Sequence, residues 1–108
     1  MADKKYIVVF ITAETLGQCR EIADALVGGK LAACVNIVPQ VQSKFRWQGK
    51  IDSANESMLI VKTREALLDK VIASVKGIHS YKVPEIIALP IVGGNMDYLD
   101  WIDETTEG

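Results

Sequence analysis

Two hydrophobic rhythms divide the chain. Tyr6-Ile-Val-Val-Phe-Ile-Thr12 is an unbroken apolar run rich in β-branched residues, the pattern of a central strand covered on at least one face. Leu16, Cys19, Ile22, Ala23, Leu26 and Val27 then recur at helical spacing and predict an amphipathic helix, ended by Gly28-Gly29. Thr15 and Gln18 have the form of a capping box at its start. Leu31 to Val38 predicts a second strand, stopped or bent by Pro39. From Val41 the pattern becomes strict alternation, with Ser43, Phe45 and Trp47 on the side of Val41 and Gln42, Lys44 and Arg46 on the other. Gly49-Lys50 turns the chain, Ile51 to Glu56 reads as polar and irregular, and Ser57 to Thr63 resumes as a strand. Residues 41–57 are thus expected to form a hairpin that outreaches the sheet.

In the second half, Thr63 is placed to cap a helix whose apolar stripe is Leu67, Leu68, Val71, Ile72 and Val75. Glu65 and Lys76 carry the signs its dipole favours, and Gly77 can close it. A short loop with His79, Tyr81 and Pro84 leads into a fourth strand, Glu85 to Val92. Pro90 cannot donate to a ladder, so that strand lies at a sheet edge or bulges there. Asn95 can cap a short last helix, Met96 to Asp103. The order β-α-β-β-α-β predicts an α+β, ferredoxin-like sandwich over residues 1–108 as one domain, with an extended β-hairpin and a short C-terminal helix.

This layout leaves a surplus of apolar surface. Two helices cover one face of four strands that are apolar at nearly every position, so the other face is left bare. A contiguous patch of that kind marks an interface, and the prediction is self-association through the sheet. Phe45 and Trp47 are expected to pack between subunits.

Composition adds limits. A formal charge of −2 and a pI near 5.3 give no reason to expect nucleic acid. From Asp97 to Gly108 there are five carboxylates and no lysine or arginine, an acidic, solvated end. No apolar run is long enough for a membrane span, and Cys19 and Cys34 lack metal-type spacing and read as buried apolar residues. A reduced, cytoplasmic protein is the expectation.

His79 is the only histidine. It is either a divalent-metal ligand together with Glu85, six residues on, or a cap for the end of the second helix. Glu85 either completes such a site or pairs with Lys62 or Lys82. Lys62 interrupts an apolar strand and needs a partner, a carboxylate or a bound anion. Cys34 lacks an adjacent base, and no Ser/His/Asp set, phosphate loop or cluster of metal ligands is present, so the chain is not read as an enzyme.

Lys30-Leu-Ala-Ala-Cys-Val-Asn-Ile37, Phe45-Arg-Trp-Gln-Gly-Lys50, Leu59-Ile-Val-Lys-Thr63, His79-Ser-Tyr-Lys-Val-Pro-Glu-Ile-Ile-Ala-Leu-Pro90 and Tyr98-Leu-Asp-Trp-Ile102 resemble, in that order, the CutA divalent-cation-tolerance family. The resemblance implies a compact homotrimer, similar in architecture to the PII signalling trimers, that binds copper or another divalent metal weakly. It also implies a cleft between subunits where Cys34, Lys62, His79, Tyr81 and Glu85 gather. Ile11 and Ile78 stand where bacterial members credited with copper binding carry a cysteine and a first histidine, so only His79 of that set is present. The alternative is a PII-like sensor or adaptor trimer that takes a small anion at Lys62 and meets a protein partner through its hairpin.

Overall fold

The computed structural model describes residues 5–107, so the first four residues and Gly108 lie outside the described chain. Its elements are β1 (Tyr6–Ala13), α1 (Leu16–Gly28), β2 (Cys34–Trp47), β3 (Lys50–Arg64), α2 (Leu68–Ile78, entered through one 3-10 turn), β4 (Ile86–Pro90) and α3 (Met96–Thr105). The strands form one antiparallel sheet in the order β2-β3-β1-β4. Each β-α-β unit leaves a gap that a strand of the other unit fills. This is the ferredoxin-like arrangement that the element order predicts.

Register explains the two faces. Val9 lies opposite Val61 and Ala88, and Val61 lies opposite Val35, so one row points to the helices. Ile7, Val9, Ile11, Leu59 and Val61 meet Cys19, Ile22 and Leu26 of α1 and Val71 and Val75 of α2 in the main core. On the other face the rows are Cys34–Lys62–Val8–Leu89 and Asn36–Ile60–Phe10–Ile87. Phe10 and Ile60 are half-buried, while Ile87 and Leu89 remain 52% and 50% exposed. The helix layer leaves this face uncovered, as predicted. Only its far end is closed, where Leu99 and Ile102 of α3 pack with Tyr6 and Ala33. Arg64 fastens α3 there through the Thr106 hydroxyl (2.8 Å), the Glu107 carbonyl and Asp103.

Several local expectations change. Ile51 to Glu56 is not irregular: β3 runs unbroken for 15 residues, because the arm's alternation is matched on both strands. The tight turn is Gln48-Gly49, both with positive φ (50° and 78°), the twist that a two-residue hairpin wants. Pro39 does not stop β2; it sits in a register shift between Val38 and Val41. Thr63 caps no helix. Its side chain is buried and donates to the Leu31 carbonyl at 2.6 Å, which fixes the α1–β2 connection. Gly77 does not close α2, which runs to Ile78 and ends at the extended backbone of His79. Pro90 lies on the edge strand β4, and Asn95 caps α3 through Asp97 N–H.

The arm from Val41↔Glu56 to Trp47↔Lys50 projects past the last β1 pair, Ala13↔Ser57, by seven rungs, about 20 Å. It makes the molecule 48 Å long and raises the radius of gyration to 14.6 Å, against about 13 Å for a compact chain of this length. Leu59 has no exposed surface and lies at the centre of the main core. Leu59→Ala is expected to lower unfolding free energy by about 3 kcal/mol, read from urea titration.

Candidate functional site

The loop after α2 is held by a histidine that spends both ring nitrogens on backbone. His79 is buried at the end of α2, where its N–H reaches the Val75 carbonyl at 2.8 Å. Nδ1 accepts from the Tyr81 backbone N–H at 3.0 Å, so the ring proton sits on Nε2, which donates to the Thr12 carbonyl at 2.7 Å. In this geometry the imidazole bolts the loop to β1. Gln18 of α1 adds a second fastening. Its Oε1 accepts from Ser80 N–H and Oγ, while its own N–H donates to Thr15 Oγ1. Only half of the expected capping box forms, because the glutamine side chain is drawn across to the loop.

So fixed, the loop presents Tyr81, whose hydroxyl donates to Glu56 Oε2 at 3.0 Å. Glu56 is only 8% exposed. Burial, then the hydrogen bond and the negative charge of Glu56, push the Tyr81 phenol up to about 12. Glu85 lies next to Thr12, whose hydroxyl points to Oε1 at 3.5 Å. Glu56, Tyr81, Glu85 and Thr12 line one open groove of about 830 Å³ between the loop and the projecting arm. Phe45, Trp47 and Asp52 line its arm side, with Lys44, Arg46 and Lys82 also on its rim.

Within one chain, the five residues expected at a cleft between subunits form two groups. Tyr81 and Glu85 line the groove, and buried His79 holds the loop that carries them. Cys34 and Lys62 face each other in register beside Val8, four residues down β1 from Thr12, about 13 Å away. In this geometry both imidazole nitrogens of His79 are engaged by backbone, Nδ1 by the Tyr81 N–H and Nε2 by the Thr12 carbonyl. It is a structural clamp, though its ring bonds β1 and not the carbonyls of α2. Among the described residues, no three His, Cys, Asp or Glu side chains converge as a metal site. Cys19 is core, and burial raises its thiol. Cys34 is only half-buried and lies against the Tyr98 hydroxyl, which burial and this thiol push up. Phe45 and Trp47 stand 40% and 55% exposed on the arm. Glu56 is the functional candidate that sequence reading missed. Its even spacing with Met58, Ile60 and Lys62 is the signal, hidden when residues 51–56 are read as irregular.

Residues 7–105 match the family model of the CutA1 divalent ion tolerance protein. The chain belongs to the CutA1 family. It is 50% identical over 99 residues to the divalent-cation tolerance protein CutA of Thermus thermophilus, covering 92% of this chain and 96% of that protein. It is 48% identical over 100 residues to the chloroplastic CutA 1 of Oryza sativa, covering 93% of this chain but only 56% of the rice protein. The chain thus spans about half the length of some curated relatives. The crystal structure of Oryza sativa CutA1 superimposes with a TM-score of 0.93 at 47% identity, covering 95% of this chain and 94% of that one. The CutA1 of the psychrotroph Shewanella sp. SIB1 gives 0.94 at 34% identity, covering 99% and 100%. Among the described residues of this CutA1 chain, no helix is long and apolar enough to cross a membrane.

The Tyr81–Glu56 bond gives the CutA1 groove a titration signature. A phenol raised in the folded state contributes stability that is fully present below its unfolded pKa of about 10 and lost as pH rises towards 12. Tyrosinate absorbance of wild type minus Tyr81→Phe should show one phenol ionising near 12. In Glu56→Gln that component should move down towards about 10, and an unmoved midpoint would rule out the carboxylate as a cause.

Proposed function

We propose that the protein acts in divalent-cation tolerance as a self-associated trimer that holds a divalent cation weakly in each groove. Glu56 and Glu85 supply the oxygen ligands from one copy, and the next copy completes the set. The placement of two carboxylates beside a wide apolar face that one chain leaves uncovered carries this reading. Assembly through that face removes Ile87, Leu89, Phe10 and Ile60 from water and sets a second chain against the groove. Carboxylate and phenol oxygens suit hard cations, whereas tight copper binding calls for nitrogen or sulfur donors that the groove of one chain lacks. Modest affinity for several divalent ions is the chemistry of this donor set. His79 contributes by position: it fixes the loop that carries Tyr81 and Glu85. The role is one of binding, with no reaction assigned.

An anionic ligand has less support. Lys62 lies away from the groove, and the groove's own cations are matched by Glu56, Glu85 and Asp52.

Isothermal titration of the full chain with copper and zinc tests the site. The Glu56→Gln, Glu85→Gln double variant should bind at least about tenfold more weakly than wild type while keeping its circular dichroism. Equal titration curves for the two proteins would exclude these carboxylates as ligands.

A further inference from the structure

We propose that Cys34 and Lys62 form a redox-controlled pair, in which hydrogen peroxide oxidises the thiol and the lysine amine then closes a reversible sulfur–nitrogen bond. The site is separate from the groove and does not depend on cation binding there. Strand register supplies its geometry. Cys34 on β2 lies directly opposite Lys62 on β3, and both belong to the sheet face away from α1 and α2. Directly opposed residues of an antiparallel pair hold their Cβ atoms about 5 Å apart, a gap that the flexible lysine stem spans.

The company on that face sets the pair apart. The same-face neighbours of Lys62 are Val8 across the strand and Ile60 and Arg64 along it. Arg64 already serves Thr106, Glu107 and Asp103. Among the described residues Lys62 Nζ has no ion pair or hydrogen bond, so no carboxylate competes with the sulfur for this half-buried amine. Cys34 is held in place by α3. Ala33, its chain neighbour, packs with Leu99 and Ile102, and the Tyr98 hydroxyl lies against the sulfur. Cys34 also begins an edge strand and is half-buried, so an oxidant barely larger than water reaches it from the rim of the sheet. Cys19 has no such route: it is fully buried in the core on the helix side.

The chemistry takes two steps. The Cys34 sulfur gives an electron pair to one peroxide oxygen and the O–O bond breaks. Sulfur is oxidised to sulfenic acid (S–OH), and the other oxygen leaves as water with the thiol proton. The Lys62 amine then attacks the sulfur, the S–O bond breaks, and the hydroxyl departs as a second water with one amine proton. The chain loses two hydrogens in all, and peroxide is reduced to water. A thiol reductant reopens the bond, so the link keeps Cys34 from the irreversible sulfinic and sulfonic acids.

Intact-mass spectrometry of the full chain treated with hydrogen peroxide reads the product. Wild type should become lighter by two hydrogens, about 2 Da, and regain its mass with dithiothreitol. Peptide mapping of that product without reductant should join the segment with Cys34 to the one with Lys62. Cys19→Ala should still lose the two hydrogens, and Cys34→Ser should not. Lys62→Arg keeps the charge but not the nucleophilic amine. It should stop at the sulfenic acid, which dimedone traps, with circular dichroism confirming its fold. Wild type that stays unmodified, or that gains only oxygen, would overturn the pair. So would a disulfide, within or between chains, as the source of the lost hydrogens, or the same loss in Lys62→Arg.

Discussion

β1 is a central strand made of apolar residues on both sides, and the rest of the molecule answers to that fact. Ile7, Val9 and Ile11 are satisfied by α1 and α2. Val8 and Phe10 point the other way, into rows with Ile60, Ile87 and Leu89 on the face opposite α1 and α2. Burial of apolar area stabilises by about 25 cal/mol per Å², so a face of this breadth is a standing drive towards association. α3 relieves it only at the Tyr6 end, and the long arm extends the problem with Phe45 and Trp47.

The groove follows from the same geometry. Because β2 and β3 overrun β1, a corner opens beyond Ala13, and the α2–β4 loop crosses that corner. His79 makes the loop stiff by tying it to the Thr12 carbonyl, and Tyr81 and Glu85 inherit fixed positions from that bond. A buried carboxylate, Glu56, is then tolerable because Tyr81 donates to it. The imidazole thus matters as an acceptor and donor to backbone.

Much of this was legible from residue pattern alone. Period-two and period-3.6 runs give the strands and helices, and their order gives the topology and the bare face. What escaped involved partners far apart in sequence. Thr63 looks like a cap until Leu31, 32 residues away, is seen to take its hydroxyl. Gln18 looks like half of a capping box until Ser80 competes for it. His79 looks like a cap for its own helix until its ring is seen to meet a carbonyl of β1, 67 residues earlier. Cys34 and Lys62 were expected with His79, Tyr81 and Glu85 at a cleft between subunits; within one chain, strand register sets them about a dozen ångströms from the groove. Local chemistry predicted elements well and side-chain company poorly, since company depends on register.

Whether the uncovered sheet face is in fact shared between copies is best decided by sedimentation equilibrium of the full chain at low micromolar concentration. The account predicts a folded species whose mass is a multiple of the 11.9 kDa chain, three copies being the expected number. A folded, soluble species at the single-chain mass would contradict it.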